Sequence, residues 1–198
     1  FYNQNKFSLY SQQQIPTQLR DISEYVLYYK NQINLVSDTS FIYVYSIHLK
    51  AGNSPVNEEL RRQEAESFKQ FLVNNNRNER LIIGGDFNFY YAGEPGCQEI
   101  LYGQGLNLLD PINQMGNWHN SSSFKNIHTQ STRSATGGYA GGAYGGMDDR
   151  FDIIFVSNDA INGASGLKYI ENTYIAEGQD GSYFNQALNN VNNSQVPQ

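Results

Sequence analysis

The chain has 198 residues, a length that suits one domain with a substantial buried core, and only 16% of them are charged. Its polar surface must come mainly from neutral amides, since Asn and Gln number 24 and 16. A formal charge of −6 excludes a broad basic footprint of the kind that drives non-specific nucleic-acid binding, and the single cysteine, Cys97, excludes an intrachain disulfide and a thiolate zinc site. No segment reaches the ~20 apolar residues of a membrane-spanning helix. Neither end carries a charged-then-apolar signal pattern, and both ends read as cut or processed.

Strand patterns dominate the first third of the chain. "SEYVLYYK" (23–30) and "SFIYVYSIHLK" (40–50) are rich in Tyr, Val and Ile, with "NQINLVSDT" between them as a hairpin connection. The period then changes to that of a helix, because Ala65, Phe68 and Leu72 step by three and four and Phe71 joins them. Ser54 reads as its N-cap and Pro55 as its first residue. Glu58 and Glu59 suit the positive end of the helix dipole, and Asn74 to Asn76 stop it.

A strand over 81–85 follows, and "EPGCQEILYGQGLNLLD" (94–110) reads as a short helix, a turn and an extended piece. Regularity stops between Pro111 and Met147, a long loop whose segment "GGYAGGAYGGM" (137–147) has the composition of a flexible linker. "RFDIIFVS" (150–157) resumes the sheet. The order implies one mixed α/β domain with layered sheets.

Three strand ends bring chemistry together. In "LIIGGDFNFYYAGEPG" (81–96) an apolar strand delivers Asp86 and Asn88, which in an extended chain share a face about 6.6 Å apart. His48 ends its strand on the face of Ile42, Val44 and Ser46, and Asp152 interrupts an otherwise apolar run, so that its carboxylate needs a partner. Taken singly, His48 has a plain structural reading as a satisfied strand-end histidine, and Asp152 as the partner of a nearby arginine. Together, two carboxylates, an amide and a histidine at strand ends fit metal-assisted hydrolysis of a phosphate ester. Oxygen ligands suit Mg²⁺, and an imidazole can polarise or protonate a phosphate oxygen.

At these residues the chain resembles the endonuclease/exonuclease/phosphatase superfamily, whose fold is deoxyribonuclease I-like. "GGDFN" (84–88), "SIHLKAG" (46–52) and "DDRFDIIFVS" (148–157) match its motifs in order. The resemblance implies an α/β (α+β) four-layer sandwich, two packed mixed β-sheets flanked by helices, spanning 1–198 as one domain. It implies that Asp86 orients or activates the attacking water near the metal, that Asn88 binds the phosphate, and that His48 contacts the scissile phosphate. Asp152 would orient a second histidine, with Asp149 competing for that role. Asp86 and Asn88 would hold Mg²⁺, with Mn²⁺ or Ca²⁺ as alternatives. Lys50, Arg133, Asp149 and Arg150 are candidates for substrate contact, and Tyr90, Tyr91, Trp118, Tyr139 and Tyr144 for stacking on bases.

The implied activity is phosphodiester cleavage in nucleic acid. A phosphomonoesterase or lipid-headgroup phosphodiesterase of the same superfamily is the alternative, and a bacterial, secreted protein is expected. The family's early Asn strand, its metal-binding Glu and its closing Ser-Asp-His motif are not found in the 198 residues. The sequence is therefore expected to be an internal stretch of such a domain, incomplete at both ends. Expressed alone it should be loosely folded or aggregation-prone, bind Mg²⁺ weakly and lack turnover. A gene that also lacked these motifs would point instead to a non-catalytic binding module. His119 and His128 sit upstream of Asp152 and read as loop residues.

Overall fold

The computed structural model describes residues 1–30, 40–130, 133 and 144–188. The connection at 31–39, most of the glycine-rich stretch with Tyr139, and the tail at 189–198 lie outside the described residues. The elements are β1 (Phe7–Ile15), β2 (Ile22–Tyr29), β3 (Phe41–His48), α1 (Pro55–Asn74), β4 (Leu81–Asp86), α2 (Pro95–Tyr102), β5 (Leu108–Leu109), β6 (Asp152–Ser157) and α3 (Asn158–Asn162). The strands form one six-stranded mixed sheet in the order β1-β2-β3-β4-β6-β5, so the α/β class stands.

The helix α1 forms where the apolar period places it. The Ser54 hydroxyl accepts a hydrogen bond from the Asn57 N–H at 3.3 Å, Pro55 opens the helix and Asn75 caps its end. Ala65, Phe68 and Leu72 are buried, and Phe71 packs at the edge of the same cluster. They meet Tyr45 and Ile47 of β3, Leu81 and Ile83 of β4, and Ile153 and Phe155 of β6, with Cys97 and Ile100 of α2 closing the layer. Burial pushes the Cys97 thiol up, which keeps it an inert core group.

The opposite face of the sheet carries Tyr25, Leu27, Ile42, Val44 and Ile82, which with Phe1, Phe7 and Leu9 line an open cavity of ≈ 800 Å³.

Topology decides where the chemistry sits. β3 and β4 are parallel, which requires the crossover that α1 provides, whereas β6 runs antiparallel to β4. The last residues of β3 and β4 therefore lie beside the first residue of β6, at the sheet end where parallel α/β folds place ligands. The 111–147 loop is irregular, apart from a single 3-10 turn at Ser122–Phe124, throughout its described part.

Candidate active site

His48, Asp86 and Asp152 are aligned across three neighbouring strands: His48 pairs with Asp86 in the β3–β4 register, and Asp86 with Asp152 in the β4–β6 register. Alternation puts all three on the face opposite α1, because their neighbours Ile47, Gly85 and Ile153 turn towards the core. His48 Nε2 lies 3.8 Å from Asp86 Oδ2, and the two side chains are 56% and 27% exposed. Burial, then the charge of Asp152, holds the Asp86 carboxyl above the usual carboxylate range, against the opposing pull of His48 and Arg20.

Gly85 makes this alignment possible. Its φ is +149°, and a Cβ there would lie 1.9 Å from the Ile47 carbonyl oxygen, so the β3 and β4 backbones meet closely one residue before the acid. The strand then stops. Asn88 has left the extended conformation for φ +55°, a left-handed turn that Asn tolerates, and its N–H donates to Asp86 Oδ1 at 3.1 Å. The shared strand face expected for Asp86 and Asn88 is thus replaced by an Asx turn. The Asn88 side chain is buried, and its Nδ2 donates to the Leu49 carbonyl at 3.1 Å, which fixes it beside the end of β3.

Asp152 accepts from Gln130 Nε2 at 3.2 Å, and its N–H donates to Thr129 Oγ1 at 3.0 Å. Among the described residues no histidine bonds to it. A histidine-carboxylate pair is formed by His119 with Asp149, Nδ1 to Oδ1 at 2.7 Å. The Asp149 side chain is 7% exposed, against 50% for His119. Burial raises its carboxyl to about 6, against the opposing bond from His119. His119, read from the sequence as a loop residue, thus has a buried carboxylate as its partner. His128 is structural, being buried with its ring nitrogens on the carbonyls of Trp118 and Met147.

Arg150 does not serve as a substrate contact. Its side chain is fully buried and its two terminal nitrogens bond Asp110 at 2.8 and 2.9 Å, a bidentate pair that ties the start of β6 to the end of β5. Trp118 is buried too, with its indole N–H on the Phe89 carbonyl, and cannot stack on a base. Lys50 follows β3 with its Nζ on the Ala51 carbonyl at 3.1 Å. The Arg133 carbonyl accepts from the N–H groups of Gly145 and Gly146. Tyr144 is exposed, and Tyr90 packs edge-on against His119 and Phe151.

Four residues that shape the site escape the motif matches. Arg61 of α1 and Glu94 are both fully buried and paired at 2.7 Å. Arg61 also donates to the carbonyls of Lys50 and Gly52, while Glu94 accepts from the Tyr90 N–H at 2.6 Å. One ion pair thus holds both loops that leave the β3 and β4 ends. A signal was present, since Arg61 sits on the Ala65–Phe68–Leu72 stripe, where a charge must be buried. Arg20 donates to the Leu49 carbonyl at 2.7 Å and brings a guanidinium to the same sheet end. Gln130, the fourth, bridges Asp152 to the strand-like contact with Asp149.

No family model matches the chain, and no curated protein matches it. Among solved structures it is similar to the human Nocturnin catalytic domain with bound sulfate, at 19% identity and a TM-score of 0.50, covering 79% of this chain and 50% of that one. It is also similar to a functionally unknown conserved protein from Enterococcus faecalis (12%, TM-score 0.49, 79% and 57% covered). A third is an endonuclease/exonuclease/phosphatase family protein from Bacteroides thetaiotaomicron (15%, TM-score 0.45, 79% and 52%). The chain spans about half the length of these structures. The chain has the deoxyribonuclease I-like fold.

Proposed function

We propose that the protein hydrolyses phosphate esters with a divalent cation, and that its substrates are phosphodiesters of nucleic acid. The observation that carries this reading is the alignment of His48, Asp86 and Asp152 on one sheet face, at the end where β3 and β4 stop. Asp86 and Asn88 offer hard oxygen donors of the kind Mg²⁺ takes, and the two facing carboxylates, Asp86 and Asp152, make a cation favourable there. When bound, the cation supplies charge stabilisation at a phosphoryl oxygen. Asp86 orients the attacking water and takes its proton. Asn88, pinned by the Leu49 carbonyl, positions the phosphate, and His48 donates a hydrogen bond to a phosphoryl oxygen. Arg20 adds positive charge at the same end of the sheet.

The natural full-length protein should be assayed on DNA, RNA, bis-p-nitrophenyl phosphate, the monoester p-nitrophenyl phosphate and phospholipid vesicles, with and without chelator. Hydrolysis that disappears on chelation and returns with Mg²⁺ is expected. Activity that survives complete chelation overturns the metal mechanism, and hydrolysis confined to phospholipid headgroups or monoesters overturns the nucleic-acid assignment.

A further inference from the structure

The site described above does not use a second cluster, on the loop that precedes β6. His119, Asp148 and Asp149 each offer one ligand atom, and these atoms lie within 4.8 Å of one another. Three segments bring them together. The His119 N–H donates to the Tyr90 carbonyl, the Asn120 N–H to the Asp148 carbonyl, and the N–H groups of both aspartates to the Gln130 carbonyl. The cluster is tied down by backbone before any ligand arrives.

Its charge is unbalanced. Asp149 is nearly fully buried and Asp148 half-buried. The ion-pair partner of Asp149 is His119, at 2.7 Å. His128 has its two ring nitrogens on backbone carbonyls, which leaves His119 as the imidazole able to turn a nitrogen to the carboxylates. A sequestered carboxylate beside a second one, with an imidazole already in contact, is a site short of positive charge.

We propose that His119, Asp148 and Asp149 bind a divalent transition-metal ion of the Zn²⁺ class, at a site separate in its ligands from Asp86 and Asn88. One imidazole and two carboxylates make a neutral set with such an ion and form a donor mixture that zinc accepts. Ligands around one zinc ion stand roughly 3–3.5 Å apart, as follows from bond lengths of about 2.0–2.2 Å. His119 Nδ1 and Asp149 Oδ1 are 2.7 Å apart and need only part slightly, while the wider members of the triad close in. His119 is half-exposed, so solvent reaches the cluster and water can fill the remaining position. The Gln130 link to Asp152 makes this ion a brace for the strand that carries the phosphate-ester site.

The test is titration of the natural full-length protein with Zn²⁺, and with Co²⁺ as a spectroscopic probe, in the presence of millimolar Mg²⁺. Wild type should bind one Co²⁺ with the visible absorption of a nitrogen-containing ligand set. His119→Ala and Asp149→Asn should each weaken binding at least 10-fold. Asp148→Asn, at a half-exposed position that a fold tolerates, should weaken it as well. Asp86→Asn should leave it unchanged. Unaltered affinity in Asp148→Asn and His119→Ala variants that fold overturns the proposal, as does loss of the Co²⁺ signal in Asp86→Asn. Both readouts are binding, so they stand whether or not the protein hydrolyses phosphate esters.

Discussion

Asp86 stands between two neighbours of opposite effect. Asp152, in register on β6, disfavours its charge, and His48, in register on β3, favours it. The two glycines before it have different duties, although the sequence writes them alike. A Cβ on Gly84 would make ordinary contact, 3.7 Å from an Ile154 side-chain carbon, whereas one on Gly85 would strike the Ile47 backbone. Gly84→Ala should therefore change stability by less than about 1 kcal/mol. Gly85→Ala should cost about 3 kcal/mol or more, because neither the positive φ nor the β3 backbone can adjust. Urea unfolding of both variants checks the contrast. Equal, small effects would mean that the close approach of β3 to β4 is not a constraint.

At the level of elements, the site loops depend on one buried ion pair. Glu94→Gln should leave the Arg61 guanidinium buried without a counter-charge and lower stability by about 3–5 kcal/mol. It should also loosen Tyr90, whose N–H bonds the Glu94 carboxylate. Chemical denaturation measures the first effect, and amide exchange at Tyr90 the second. This pair was half legible in the sequence. Arg61 shares the spacing of Ala65, Phe68 and Leu72, but its partner lies 33 residues on in a loop that no local pattern ties to α1. β2, β3, β4 and β6 were legible because their apolar residues alternate, and α1 because its stripe and cap agree. β1 was not, because "FSLYSQQQI" carries three glutamines and forms the sheet edge, where exposed residues break the apolar signal. The alignment of His48, Asp86 and Asp152 could be expected from motif order. The His119–Asp149 bond could not, since it joins residues 30 apart across an irregular loop. The Arg150–Asp110 pair is illegible for the same reason, because its members lie 40 residues apart.

The whole molecule carries a pH signature unrelated to its chemistry. Lys69 of α1 is buried with its Nζ on the carbonyls of Ile100 and Leu106, and burial lowers it from 10.5 to about 8. The folded state thus releases this proton at lower pH than the unfolded chain. Between about pH 8 and 10.5 the unfolded state binds more protons, so stability rises with pH across that window. From pH 7.5 to 9.5 the gain should be roughly 1–2 kcal/mol. It should vanish in Lys69→Met. Above pH 10 the buried Tyr45 hydroxyl, which burial holds protonated beside Glu24, acts in the opposite sense, so urea midpoints should be compared below that limit.

The assignment of phosphate-ester hydrolysis to this sheet end rests on Asp86. The most direct measurement is the initial rate of bis-p-nitrophenyl phosphate hydrolysis by the natural full-length protein, wild type beside Asp86→Asn, each in saturating Mg²⁺ and in excess chelator. Asn keeps the size of the side chain and the turn to Asn88 while removing the charge. The account predicts turnover for wild type only with Mg²⁺, and a fall of about 10³-fold in the variant with its unfolding transition preserved. Equal rates in wild type and variant, or wild-type turnover undiminished by chelator, would contradict it.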